Sequence, residues 1–306
     1  MPTPLSGTRF DLTFGDYTAS IASIGASLRS LTHRGRDLVV PFDEDEVRPS
    51  YRGATLAPWP NRVVDGRYEF AGQQQLALTE PARGHALHGL ATWLDFTPVD
   101  EGDDHVTLTT TIVPQGGYPF RVEVSVTFEL DADGLHTTVT GSNSGPSPAP
   151  WGTGPHPYLV AGDGRVDDWT LTLPADAVLT VTEDRLIPTG LADVTAEADG
   201  TFDFRSGRRI DDTFIDHAFT GMSRDSAGTA SVTLTCADGT GVAMTWGTDC
   251  PWVQVHTADQ PDPALDRLGL AVEPMTCPPD AFNSGTDLIV LEPGTSTSAA
   301  WTISAL

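Results

Sequence analysis

From residue 121 to 130 the chain reads Arg-Val-Glu-Val-Ser-Val-Thr-Phe-Glu-Leu, so that Val122, Val124, Val126, Phe128 and Leu130 are each separated by a polar neighbour. Alternation sustained over ten residues puts every apolar side chain on one face of a pleated strand, which no helix can do. The next four residues, Asp131-Ala-Asp-Gly134, carry turn chemistry, and a second alternating run follows through Leu135, Thr137 and Val139. The pair reads as a hairpin. Similar runs recur at 106–113, 169–173, 231–236, 242–246, 252–256 and 298–303, and no segment carries the period of a long amphipathic helix. Between the runs lie 30 Gly and 24 Pro in 306 residues, which cut the chain into many short strands. An all-β fold is expected, a large antiparallel sandwich or barrel, and a parallel α/β fold is disfavoured.

The segment Ser144-Gly-Pro-Ser-Pro-Ala-Pro150 has linker composition near the middle of the chain and opens a two-domain alternative. It runs directly into Trp151-Gly-Thr-Gly-Pro-His156, which has the look of a structured site rather than a tether. The chain is therefore read as a single domain over 1–306, without internal repeats.

With 42 acidic and 17 basic residues the formal net charge is -25. Sequence-independent binding to nucleic acid or anionic membrane needs a positive field and is excluded on that ground. All the basic residues are Arg, which removes Schiff-base and P-loop lysine chemistry. Cys236, Cys250 and Cys277 are odd in number and contain no C-x-x-C pair, so they read as reduced thiols rather than a disulfide framework or a structural zinc site. The opening Met1-Pro-Thr-Pro-Leu5 has no basic region followed by an apolar stretch, and no run of about 18 apolar residues occurs. A soluble, cytoplasmic protein is the expectation.

Four neighbourhoods set ionisable groups among Gly, Pro and aromatic residues instead of on charge-rich faces. In Ala57-Pro-Trp-Pro-Asn-Arg62 the Asn61 amide and the Arg62 fork sit beside Trp59, a combination suited to a polyhydroxylated ligand; a loop Arg on a surface carboxylate is the plain alternative. In Gly84-His-Ala-Leu-His88-Gly, His85 and His88 have a spacing that chelates metal on a helix, but the flanking glycines and the lack of a nearby acid favour hydrogen-bonded loop histidines. In Gly154-Pro-His156-Pro-Tyr158 two prolines fix the backbone around one His, the mount a general acid requires. In the run from Gly269 to Asn283, Glu273 interrupts an apolar strand; a carboxylate is costly there unless paired or used as a base of raised pKa. Asp211 and Asp216 are further candidate carboxylates.

Taken in order, Pro60-Asn61-Arg62, Gly66-Arg-Tyr-Glu-Phe70, Leu87-His88-Gly89, His156-Pro-Tyr158, an Asp three before a Phe, Ala271-Val-Glu273 with Pro279-Asp-Ala-Phe-Asn283, and Leu291-Glu-Pro-Gly294 resemble the aldose 1-epimerase (mutarotase) family over residues 10–306. The resemblance implies the galactose mutarotase-like β-supersandwich, with Glu273 as general base on the anomeric hydroxyl and His156 as the acid on the ring oxygen. It also implies His88 near that oxygen, Arg62 and Asn61 on the sugar hydroxyls, and an Asp beside them. Both Asp211 and Asp216 satisfy the Asp-x-x-Phe spacing, and Asp211 is preferred because it follows Arg208-Arg-Ile210. The implied chemistry needs neither cofactor nor metal, and the implied partner is a hexose monosaccharide; monomer and homodimer both stay open. In place of the double glycine common after the first His, the chain has Gly89-Leu90. Three alternatives are carried: a hexose-6-phosphate epimerase using Arg208 and Arg209, a non-catalytic sugar-binding protein, and a glycoside hydrolase pairing Glu273 with Asp211.

Overall fold

Three antiparallel sheets carry most of the strand residues in the computed structural model, which describes residues 3–306. The hairpin expected at 121–139 is the centre of the largest. Val122–Asp131 pairs with Gly134–Asn143 in continuous register from Val122↔Asn143 to Asp131↔Gly134, leaving a two-residue loop. The Asp131 carboxylate accepts the Asp133 backbone N–H at 2.7 Å and closes the turn from inside. Along Val122–Asp131 the even-numbered residues from Val122 to Leu130 are buried, as the alternation requires.

Around this hairpin the nine-stranded sheet runs Thr97–Glu101, His105–Ile112, Val122–Asp131, Gly134–Asn143, Ser296–Ala305, Gly241–Trp246, Ala230–Thr235, Thr170–Thr172 and Arg208–Arg209. A four-stranded meander, Arg9–Phe14, Tyr17–Ala22, Ser27–His33 and Arg36–Asp37, lies at the start of the chain. The six-stranded sheet has the order Tyr158–Leu159, Leu270–Met275, Trp252–His256, Asp216–Met222, Ala175–Val181 and Pro188–Asp193. All three contribute to one buried apolar cluster that extends in sequence from Leu12 to Ile303.

The proline-rich segment 144–150 is tied into this framework. Ala149–Trp151 pairs with Ile289–Leu291, and the Asn143 amide donates to the carbonyls of Ser147 and Leu291. Gly134–Asn143, before the segment, pairs with the last strand of the chain. Among the described residues no helix is long and apolar enough to cross a membrane.

Candidate active site

The period of two that builds the six-stranded sheet also builds a floor of polar side chains. Gln254 lies opposite Glu273, His256 opposite Ala271, Asp216 opposite His256 and Tyr158 opposite Ala271. Residues two apart on a strand share a face, so Tyr158, Glu273, Gln254, His256 and Asp216 all project to the same side. Leu270–Met275 is buried along its whole length, and Glu273 with it. The Gln254 amide donates to Asp216 Oδ1 at 2.7 Å, which turns its own Oε1 free as an acceptor.

His156 enters between two short strands. Gly154–Pro155 pairs with Thr55–Leu56, and Tyr158–Leu159 pairs with the Glu273 strand. The His156 N–H donates to the Ala54 carbonyl at 3.0 Å, and its own carbonyl accepts from Gly53 at 2.8 Å. Gly53 is left-handed at φ 67°, and a Cβ there would stand 2.0 Å from the Leu28 carbonyl oxygen, so only glycine lets the backbone pass this close to Leu28 at the point where it holds His156. The imidazole Nε2 rests 3.4 Å from Glu273 Oε1.

The opposite wall comes from the pair Arg62–Val64 and His85–Leu87. At one end of this pair, beside Arg62 and Leu87, Asn61 and His88 are both left-handed, at φ 54° and 63°, and the His88 N–H donates to the Asn61 carbonyl at 2.7 Å. Non-glycine residues adopt this conformation at a cost and gather where structure overrides it for a purpose. Asp280 holds the wall from behind: its N–H donates to the Arg62 carbonyl at 2.8 Å, and its carboxylate accepts from the Val64 N–H at 2.9 Å. The His88 ring is packed edge-on against both Tyr51 and His156, with centroids at 4.6 and 4.9 Å.

Together the two walls enclose a cavity of about 160 Å³. That is below the ~300–1,000 Å³ of drug-sized sites and suits a small polar molecule. Asn61 Oδ1, Arg62 Nε, His88 Nδ1, His156 Nδ1, Gln254 Oε1 and Glu273 Oε2 are buried around it without a protein partner. Buried polar atoms are nearly always satisfied, so donors and acceptors left over in one small space mark a place built for a hydroxylated ligand. A larger basin of about 770 Å³ near Arg36, Trp169 and Cys236 contains none of these unpartnered atoms.

Burial dominates the electrostatics. It raises the Glu273 carboxyl well above the usual carboxylate range, helped by Asp216 and opposed by Arg62. Burial, with His256 nearby, pushes the His156 imidazole down to about 3. His88 is likewise held well below its ordinary value by burial, then by His156 and Arg62. His88, His156 and Glu273 each present a ligand-capable atom, and these lie within 4.8 Å of one another.

The sequence pattern of the aldose 1-epimerase family matches residues 9–304. The chain belongs to the aldose 1-epimerase family. It is also 38% identical over 291 residues to the uncharacterized protein YihR of Escherichia coli (strain K12), covering 94% of this chain and 90% of that protein. In three dimensions it is similar to the GalM/aldose epimerase homologue from C. elegans, with a TM-score of 0.84 at 21% identity over 98% of this chain and 99% of that one. It is similar too to galactose 1-epimerase from Lactobacillus acidophilus NCFM, with a TM-score of 0.75 at 20% identity over 95% and 92% of the two chains. These likenesses show the galactose mutarotase-like fold.

Within this family fold, five of the residues expected from the sequence, Glu273, His156, His88, Arg62 and Asn61, line the cavity together. Asp211 does not, and the preference for it is corrected: it is exposed, left-handed at φ 50°, and ion-paired with Arg209 at 2.9 Å. Asp216 is the carboxylate at the cavity, because it opens the strand beside Trp252–His256 whereas Asp211 precedes it in a turn. The carboxylate pair Glu273 and Asp211 of the hydrolase alternative is thereby separated. Arg208 and Arg209 are also elsewhere, the first over the Phe204 ring and the second on Asp168, so they offer no phosphate site here. His85 and His88 diverge: His85 Nδ1 accepts from the Asp65 N–H and its Nε2 meets the Arg185 carbonyl, the hydrogen-bonded loop role. Gln254, His256, Tyr51, Glu80 and Arg83 line the cavity without having been singled out. Gln254 was findable: it faces Glu273 once the run at 252–256 is paired with the Glu273 strand.

Proposed function

We propose that the protein is an aldose 1-epimerase that interconverts the α and β anomers of a hexose by general acid–base ring opening and reclosure. The observation that carries the reading is the buried Glu273–His156 pair, 3.4 Å apart at a small cavity of unpartnered donors and acceptors. Glu273 removes the proton from the anomeric hydroxyl. The oxygen's electron pair forms the C1 carbonyl, the bond from C1 to the ring oxygen breaks, and the ring oxygen takes a proton from His156. Rotation about C1–C2 presents the other carbonyl face; on closure Glu273 returns the proton to O1 and His156 recovers its own from the attacking hydroxyl. Arg62 supplies donors to the sugar, Asn61 Oδ1, Asp216 and Gln254 supply acceptors, and His88 supports the ring oxygen.

Proton bookkeeping explains why these two groups sit together. The shifts rest the pair's one exchangeable proton on Glu273; in the reactive form it stands on His156, and ring opening returns it through the sugar to Glu273, so the buried pair keeps zero net charge during the step. An uncompensated charge in such a place would be expensive. Burial makes the Glu273 carboxylate a stronger base and the His156 imidazolium a stronger acid than the free groups, so each is suited to passing a proton through the sugar to the other.

Polarimetry or anomer-resolved proton NMR on freshly dissolved α-D-galactose and α-D-glucose tests the reading. The protein is expected to accelerate the approach to the same equilibrium mixture. Glu273→Gln and His156→Ala are each expected to cost about 10²–10⁴ in rate, while galactose still raises the melting temperature of Glu273→Gln. A full rate in Glu273→Gln, or no acceleration with any of a panel of aldohexoses, would overturn it.

A further inference from the structure

We propose that His88, His156 and Glu273 form a binding site for a divalent transition metal of the Zn²⁺ class, and that metal held there blocks turnover instead of supporting it. The three side chains are buried, and their ligand-capable atoms lie within 4.8 Å of one another. Zinc bonds of about 2.0–2.2 Å in a tetrahedron place neighbouring ligand atoms roughly 3.3–3.6 Å apart. The His156 Nε2 to Glu273 Oε1 separation of 3.4 Å is already such an edge. His88 completes the face with a shift of at most roughly 1.5 Å, and three protein ligands leave a fourth tetrahedral position for water. Two imidazoles and one carboxylate form a ligand set that suits zinc, copper or nickel and is poor for magnesium or calcium, which prefer oxygen alone.

The same geometry sets the occupancy as reversible. Strong metal sites brace each ligating imidazole through its other nitrogen, and missing braces cost about 10–100-fold in affinity. Here Nδ1 of His156, the nitrogen other than the one beside Glu273, has no protein partner, and the Arg62 guanidinium lines the same cavity. Attraction comes from Asp216 and Glu80 at the cavity and from the net charge of -25 on the chain. A bound metal occupies the lone pairs of the carboxylate and the imidazole together, so neither can carry a proton and a sugar cannot seat. The binding rests on side-chain geometry alone; the block rests on the function proposed above.

The test separates the two. Titration calorimetry of the chelator-treated protein with ZnCl₂ is expected to give one site of micromolar affinity that millimolar MgCl₂ leaves unchanged. His88→Ala and Glu273→Gln are each expected to weaken it by at least about tenfold. No binding, binding retained in both variants, or displacement by Mg²⁺ would overturn the site. Should the variants fold poorly by circular dichroism, Co²⁺ added to the unaltered protein decides. The intense visible bands of a four-coordinate ion support the site, and the weak bands of a six-coordinate aqua ion overturn it. With binding in hand, galactose mutarotation is expected to fall as zinc fills the site and to recover with chelator; full rate at saturating zinc overturns the block. If the protein turns over no aldohexose, the calorimetry and the Co²⁺ spectrum still judge the site.

Discussion

Glu273 combines two properties that ordinarily exclude each other, complete burial and an ionisable carboxyl, and its neighbours do not relieve the conflict. The folded protein holds the Glu273 proton more tightly than the unfolded chain does. Stability tied to that proton is fully present below the ordinary value of 4.5 and is lost as pH rises from there toward the raised value. Gln has no such proton to lose. Glu273→Gln is therefore expected to melt above the native protein at pH 8, with the gap shrinking toward zero near pH 4.5, at a slope of up to about 1.4 kcal/mol per pH unit. A gap that does not depend on pH in thermal melts across this range would show that burial is not what the carboxyl suffers from. Glu273 was legible in the sequence because a lone acid in an apolar run has a cost that must be met. Asp216 was not, because it and Asp211 stand at the same distance from a Phe, and only strand register tells which one faces the cavity. Asp216→Ala is expected to lower kcat/KM by about 10–100-fold through lost hydroxyl contacts. Asp211→Asn, which breaks an exposed pair worth about 0–1 kcal/mol, is expected to leave kcat/KM within about twofold. Equal effects in steady-state kinetics would reverse the assignment.

Strands that are half buried announce themselves, and strands that are not stay silent. Val122–Asp131, Gly134–Asn143 and Trp252–His256 were read from alternation because one face of each meets the core and the other meets water or a polar cavity. Thr97–Glu101 is exposed at every position and Tyr17–Ala22 is buried at five of six, so neither has an alternation to detect. The mount of His156 was visible as two prolines, but its second half, Gly53, lies a hundred residues earlier and carries no chemical signal of its own. Gly53→Ala tests whether that half matters. The new methyl group would meet the Leu28 carbonyl, and the φ of 67° disfavours any L side chain. A loss of about 1–3 kcal/mol is expected in denaturant unfolding. With it, kcat should fall more than sugar affinity, since the Gly53 N–H holds the His156 carbonyl while the wall that carries Asn61 and Arg62 is built elsewhere. A destabilised variant with unchanged kcat would mean that His156 is placed by its prolines alone.

At the scale of the whole chain, the sequence carries two opposite hints about its division. The segment 144–150 has the composition of a tether, yet the motifs that gather at the cavity lie on both sides of it: Asn61, Arg62 and His88 before, His156, Asp216, Gln254 and Glu273 after. Composition could not resolve this, because the pairing that absorbs the segment is with residues 289–291, more than a hundred positions away. The same long reach ties Gly134–Asn143 to Ser296–Ala305, and the buried cluster draws on both halves. A site assembled this way cannot open one half without losing strand partners and core from the other. Unfolding is therefore expected as one cooperative transition, with equal calorimetric and van't Hoff enthalpies and with tryptophan fluorescence and far-ultraviolet circular dichroism changing together. If galactose fills the cavity as proposed, it should move that single transition upward as a unit, since the cavity is lined from both sides of residue 150. Two resolved transitions, or a ligand that shifts only part of the signal, would restore the two-domain division at 144–150 and make the cavity an interface between separately folding halves.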